Sequence, residues 1–286
     1  MLTRVDRVQV TVADRRAVAD LFRALLGAEV ACEDAVAPLG ARRTTLRLGT
    51  GAIELLEPDG AGAVAEHVAA TRGGLFAAGF AVRDLGVLRE RLVRRGVSFA
   101  EANGQLLLAP DATGGHGLRC VVSVEAVAFP PVGLVTHLYE VTNLVRDHVA
   151  AAAEYADLFA LAPERFCPIA SAEYGYDGVL TLFDPADRLD RIECITPYDQ
   201  AKTMGRYMAR RGECLYMCFA EAPDLAPIRV RLGAHAPGAW SDGLPVGDTL
   251  FIHPQALAGT MLGVSRTTVG WVWSGHPERV EPAPRT

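Results

Sequence analysis

Positive charge is scarce in this chain. Its 286 residues carry 28 lysines and arginines against 34 aspartates and glutamates, a net charge of -6. The electrostatic footprint of a nucleic-acid-binding surface is therefore missing. No apolar run reaches the ~20 residues needed to cross a bilayer. The amino terminus, MLTRVDRVQV, has neither the basic nor the apolar region of a secretory signal, so a cytoplasmic location is expected. The six cysteines (Cys32, Cys120, Cys167, Cys194, Cys214 and Cys218) include no CxxC pair and no zinc-finger spacing. Three of them lie inside apolar strand-like runs, where cysteine behaves as a small hydrophobe, and reduced thiols are expected throughout. The glycine-rich turns GTGAIE and TGGHG lack phosphate-loop spacing, and no local Ser-His-Asp or Cys-His set can be assembled.

What is present is a repeated pattern. Half of the residues are apolar and 22% are charged, as in a folded globular protein long enough for one large domain or two of medium size. RVDRVQVTVAD reads as a strand ending at Asp14, a residue suited to cap the next helix. That helix carries Val18, Leu21, Phe22, Leu25 and Leu26 at helical spacing and stops at Gly27. Two strands follow, RRTTLRLG and AIELLEP. The unit recurs three times, from GLFAAGFAVRD, from LVTHLYEVTN and from ECLYMCFAEAPD. AIELLEP and RIECITP hold the same place in copies one and three, at an offset of about 130 to 140 residues, which indicates a duplicated pair of units. The prolines of VAFPPVG break the pattern between the pairs. The expected fold is α+β: four βαβββ modules in two tandem paired-module domains, residues 1–126 and 134–274. Each would be a curved mixed sheet with helices outside and a concave cup inside. Residues 275–286 form a tail, and VGWVW before it reads as extended.

One strand carries an unusual charge. In RIECITP, Glu193 stands between Ile192 and Cys194, and a carboxylate in so apolar a strand needs a partner. Alternation puts Arg191, Glu193 and Ile195 on one face, and His137, Tyr139 and Val141 on one face of the earlier strand. If both strands share a sheet, His137 and Glu193 point into the same hollow, while Glu140 is sent to the helix side. Two readings stay open: a functional acid–base or metal-binding pair, or a buried ion pair that holds two strands in register. Tyr139, Tyr216, Met217, Phe219 and Met261 are the candidates for an apolar substrate pocket. The loop PIASAEYGYDG, with Tyr174 and Tyr176, is a candidate cover.

The module pattern, the passage IECITPYDQAKTMGRYMARRGECLYMCFAEAPD and the stretch HPQALAGTMLGV resemble the vicinal oxygen chelate superfamily, which includes glyoxalase I, methylmalonyl-CoA epimerase, extradiol dioxygenases and bleomycin-resistance proteins. The resemblance covers nearly the whole chain. It implies a divalent ion (Fe, Mn, Co, Ni or Zn) in an active cup, held from the first and last strands of two paired modules. His137 falls at the first-strand histidine and Glu193 at the last-strand carboxylate, so both are the implied catalytic and metal-binding residues. Met217 and Gly263 fill the other two places, which leaves the ligand set incomplete and the cup enlarged at Gly263. The N-terminal cup has Arg7, Glu54, Ala77 and Val121 (or Arg119) at those places, and Arg7 facing Glu54 would satisfy both charges without an ion.

The activity implied is proton transfer, by an epimerase, isomerase or lyase acting on an oxygen-rich or carbonyl substrate in the C-terminal cup. The alternative is metal-free binding or sequestration of a small molecule, and an extradiol-type dioxygenase ranks third. The expected partner is a small-molecule substrate or ligand, with neither nucleic acid nor membrane; a homodimer is compatible with this reading.

Overall fold

The computed structural model describes residues 1–127, 129–244 and 246–281. The chain begins with β1 (Leu2–Thr11), and Asp14 then caps α1 (Arg15–Leu26) by accepting from the backbone N–H groups of Arg16 and Ala17. Gly27 ends the helix at φ 74°, a left-handed conformation that costs glycine little. The unit closes with β2 (Glu29–Val36), β3 (Ala41–Leu48) and β4 (Gly51–Pro58). Helix α2 (Ala63–Thr71) leads into the second unit: β5 (Gly74–Val82), α3 (Leu85–Arg94), β6 (Ala100–Ala102), β7 (Gln105–Leu108) and β8 (Cys120–Val124).

The second half repeats this order with β9 (His137–Leu144), α4 (His148–Phe159), β10 (Cys167–Ser171), β11 (Tyr176–Leu182) and β12 (Arg191–Pro197). After α5 (Thr203–Arg211) come β13 (Cys214–Ala222), α6 (Ala226–His235), β14 (Trp240–Asp242), β15 (Thr249–Ile252), β16 (Leu262–Arg266) and the short α7 (Gly270–Trp273).

Each half forms one eight-stranded mixed sheet, in the orders β2-β3-β4-β1-β5-β8-β7-β6 and β10-β11-β12-β9-β13-β16-β15-β14. First and last strands of each unit pair in parallel, because a helix carries the chain back across the sheet. The two units of a half join antiparallel through β1–β5 or β9–β13. This is the α+β, paired-module architecture that the repeats imply. Four short or exposed strands, β2, β6, β10 and β14, escaped the sequence reading. In β2, Glu29, Glu33 and Asp34 hide the alternation on an exposed edge. The linking helices α2 and α5 escaped it as well. VGWVW is a helical turn, not extended chain, and it buries Trp271; residues 282–286 lie outside the described residues.

The helix-facing side of both sheets is one apolar core. Val8, Val10, Ile53, Leu55 and Phe80 pack with Phe22, Leu25 and Leu26 of α1. Val141, Ile192, Cys194 and Cys218 pack with Tyr155 and Phe159 of α4. Phe80 joins the halves edge-on, 6.1 Å from Phe159 and 5.7 Å from Phe183 between ring centroids.

Both inner first strands carry an extra residue opposite their partner. Asp6 is inserted between Val5 and Arg7, which pair with Phe80 and Gly79. Tyr139 is inserted between Leu138 and Glu140, which pair with Ala220 and Phe219. Such a bulge shifts the alternation by one residue. Tyr139 and Glu140 therefore share the concave side, and the expectation that Glu140 faces the helices is overturned.

Candidate active site in the C-terminal cup

Hydrogen-bonded register lines up the inward side chains in rows across each sheet. In the N-terminal cup, one row runs Thr45, Glu54, Gln9, Ala77. The matching row in the C-terminal cup runs Leu180, Glu193, Thr142, Met217. Glu54 and Glu193 thus hold the same place in their sheets.

Glu54 is only 1% exposed and is saturated with donors. Arg7 Nη1 and Gln105 Nε2 reach one carboxylate oxygen at 3.0 and 2.9 Å. Gln9 Nε2 and Arg43 Nη1 reach the other at 2.8 and 3.2 Å. Burial alone would push this carboxyl up, but the two guanidinium charges and the two amide hydrogen bonds outweigh it and hold the pKa below the ordinary value. Asp6 and Asp34 complete the pairing of Arg7 and Arg43. Val64 of α2 is fully buried over this cup, and His67 bonds Thr11 at 2.8 Å. The N-terminal cup is filled by its own side chains.

Glu193 has a different environment. Thr142 Oγ1 donates to its Oε2 at 2.6 Å, and among the described residues this is the one side-chain donor. Unlike Ile192 and Cys194 on either side, Glu193 is partly open to solvent. Burial and then the negative charge of Glu140 push its pKa up to about 8, against the weaker pull of the Thr142 hydrogen bond and the Arg191 charge. Burial, followed by the charges of Glu193 and Glu140, raises the Tyr176 phenol above the usual range.

The next row in this cup runs Leu182, Arg191, Glu140, Phe219, Gly263, Phe251. Arg191 and Glu140 are an internal ion pair, Nε to Oε2 at 2.6 Å, with side chains 1% and 4% exposed. Arg191 Nη1 also donates to Ser274 Oγ at 2.6 Å, and its guanidinium lies 5.0 Å from the centroid of the Tyr139 ring. Opposite charge, stacking and hydrogen bonding together satisfy the buried cation.

The structure does not bring His137 and Glu193 together. His137 Nε2 lies 3.2 Å from Glu221 Oε2, opposite Glu221 at the start of β9. Glu193 lies opposite Thr142, five residues further along β9 and so about 15 Å away at strand rise. Aligned on the helix caps Asp14 and Asp147, the Arg7 position falls on Glu140 and not on His137. That alignment was readable from the repeats and would have found Glu140. The bulge was not readable.

The other candidates divide. Tyr139 is fully buried with Leu180, Leu182, Leu189 and Trp271, and its hydroxyl is spent on Ser265 at 3.1 Å, so it belongs to the core and not to a substrate surface. Phe219 packs on Tyr139 and Phe251, and its ring occupies the volume a side chain at Gly263 would need. The expected enlargement at Gly263 is thus filled. Met217 lies beside Thr142 in the Glu193 row, and Tyr216, the bulge residue of β13, meets Tyr207 of α5 at 5.0 Å. Met261 is half-buried, and its carbonyl accepts from Cys218 N at 3.2 Å. His253 bonds Ser241 at the sheet edge. Lys202 fastens the β10–β11 turn to the start of α5 through the carbonyls of Ala172 and Glu173. Tyr174 is exposed on that turn.

A divalent ion does not fit this donor set. Of the four ligand places, β9 and β12 supply Glu140 and Glu193, and Glu140 is already bonded to Arg191. The second module supplies Met217 and, at Gly263, no side chain. Among the described residues no three His, Cys, Asp or Glu side chains are grouped as a metal site requires.

No family model matches the sequence, and no curated protein is similar to it. Solved structures are. A mutant of 4-hydroxymandelate synthase from Streptomyces coelicolor superposes with a TM-score of 0.68, covering 93% of each chain at 14% identity. Methylmalonyl-CoA epimerase from the same organism, in complex with 2-nitronate-propionyl-CoA, matches 44% of this chain and 100% of its own, at 22% identity and a TM-score of 0.40. The epimerase from Mycobacterium tuberculosis matches 49% of this chain and 93% of its own, at 19% identity and a TM-score of 0.41. The full-length match shows a shared two-sheet fold.

Proposed function

We propose that this chain, which has the vicinal oxygen chelate fold, moves a proton on a small carbonyl or otherwise oxygen-rich substrate in its C-terminal cup, with Glu193 as the base. The observation that carries the reading is the contrast between two equivalent carboxylates. Glu54 is locked by four donors, whereas Glu193 keeps one donor, an opening to solvent and a raised affinity for a proton. A carboxyl held near neutral pH is suited to take and return protons.

The roles follow from the contacts. Thr142 fixes Oε2, which leaves Oε1 of Glu193 free to meet a C–H next to a carbonyl. Proton transfer forms the neutral acid, which burial and the nearby Glu140 charge both favour, while the C–H electron pair moves onto the substrate carbonyl. Returning the proton to another atom gives an isomerase, and expulsion of a leaving group gives a lyase. Epimerisation by two opposed bases has less support, because Glu140 is held by Arg191. Met217 and Leu180 flank the Glu193–Thr142 pair and supply apolar contact.

Transfer of deuterium from heavy water into small ketones, 2-oxo acids, 1,3-dicarbonyls and thioesters, followed by proton NMR, tests the reading. Exchange that depends on Glu193 is expected for at least one class. Stoichiometric binding without exchange in any class would instead favour sequestration of a ligand, the reading that the apolar Met217 and Phe219 support. An extradiol-type dioxygenase has less support, because Met217 and Gly263 stand at two of the family's ligand places and Glu140, which takes the first-strand place from His137, is bonded to Arg191.

A further inference from the structure

We propose that Arg191 is a built-in cation of the C-terminal cup, a guanidinium bonded to Glu140 at the first-strand place where the family resemblance implies a metal ligand, so that this carboxylate is neutralised without a metal. Three observations point to it. Glu140 stands at the register of Arg7, and Glu193 at the register of Glu54, so both inward carboxylates occupy first- and last-strand positions of one module. Arg191 starts β12 directly opposite Glu140 and bonds it at 2.6 Å. Its other contacts, Ser274 Oγ, the carbonyls of Leu189 and Gly270, and the Tyr139 ring, hold the guanidinium in place from the opposite side.

The N-terminal cup reaches the same balance with the charges exchanged between strands. There the arginine lies on β1 and the glutamate on β4, and Arg43 adds a second guanidinium from β3. Both cups thus place a buried guanidinium on an inward glutamate, which supplies positive charge to that carboxylate from the chain itself. An ammonium or a metal could supply the charge, but the planar guanidinium also satisfies several acceptors at once.

The proposal goes beyond proton transfer, and its test reads metal binding and thermal stability, so it stands or falls separately from turnover. Wild-type protein titrated with Mn²⁺ and followed by EPR is expected to bind less than about a tenth of an equivalent at micromolar ion, since the donor set is short of the usual ligand number. Arg191→Met should lower Tm by roughly 5–15 °C, as expected when one member of a buried pair is removed. Millimolar Mn²⁺ should recover part of that loss in Arg191→Met and leave the wild type unmoved. The double variant Glu140→Leu with Arg191→Met should be more stable than Arg191→Met and indifferent to Mn²⁺. Stoichiometric Mn²⁺ on the wild type that disappears in Glu193→Gln would overturn the proposal, as would an Arg191→Met variant with an unchanged Tm or with no response to the ion. Should Arg191→Met not fold, the wild-type titration and the ion-indifference of the double variant decide the matter.

Discussion

Glu54 and Glu193 stand at the same register in the two sheets, each beside the first strand of its module, and their surroundings drive them in opposite directions. Two arginines and two glutamines converge on Glu54, while one threonine reaches Glu193. A duplicated scaffold has thus tied one acid to four donors and left its counterpart with one among the described residues.

Replacing Glu193 by Gln keeps the shape and removes the base. Deuterium exchange into the responsive substrate class is expected to fall by roughly 10²- to 10⁴-fold, the usual contribution of a positioned base. Near-uv circular dichroism should be unchanged. A variant that exchanges at the wild-type rate would remove Glu193 from the mechanism.

The pH dependence follows from the raised pKa. Exchange needs the ionised form, so its rate should rise with pH and level off above about 8. Stability has the opposite slope. Because the folded state favours the protonated acid, the contribution of Glu193 is fully present below its ordinary value of 4.5 and is lost as pH rises towards about 8. Urea denaturation across this interval should show that loss in the wild type and less of it in Glu193→Gln.

Glu54 has the reverse linkage. Its lowered pKa gives stability that is present above the ordinary carboxylate range and lost as acid takes the pH through the folded value. Glu54→Ala leaves Arg7 and Arg43 short of their shared partner and should cost about 3–5 kcal/mol at neutral pH, measured by urea unfolding. A cost below about 1 kcal/mol would contradict the view that the N-terminal cup is held together by this network.

Gly263→Ala probes the filled half of the C-terminal cup. The new methyl group meets the Phe219 ring, and overpacking should destabilise the protein by about 1–3 kcal/mol. Adding Phe219→Leu should relieve part of that penalty. If Gly263→Ala alone is neutral in thermal melts, the cup has free space at this position after all.

His137→Ala separates the histidine from the chemistry. Exchange should stay within about twofold of wild type, with a stability cost of about 1 kcal/mol for the partner lost by buried Glu221. Loss of exchange in a stably folded His137→Ala protein would restore His137 to the site.

Much of this protein was legible from residue order. The cap Asp14, the stop at Gly27 and the recurrence of AIELLEP as RIECITP depend on local geometry and period, so the modules and the inward direction of Glu193 could be read directly. The facing of Arg7 and Glu54 was legible through the family resemblance, which assigns both to ligand places of one cup. What only the tertiary structure decided was which groups meet. One inserted residue, Tyr139, reverses the alternation of β9 and exchanges His137 for Glu140 as the neighbour of the β12 site. A bulge changes the pairing between strands without any local mark in the sequence, because its extra residue is accommodated by the partner strand's register. Likewise the vacancy expected at Gly263 is closed by a ring from the adjacent strand, a contact set by packing across the sheet and not by the glycine itself.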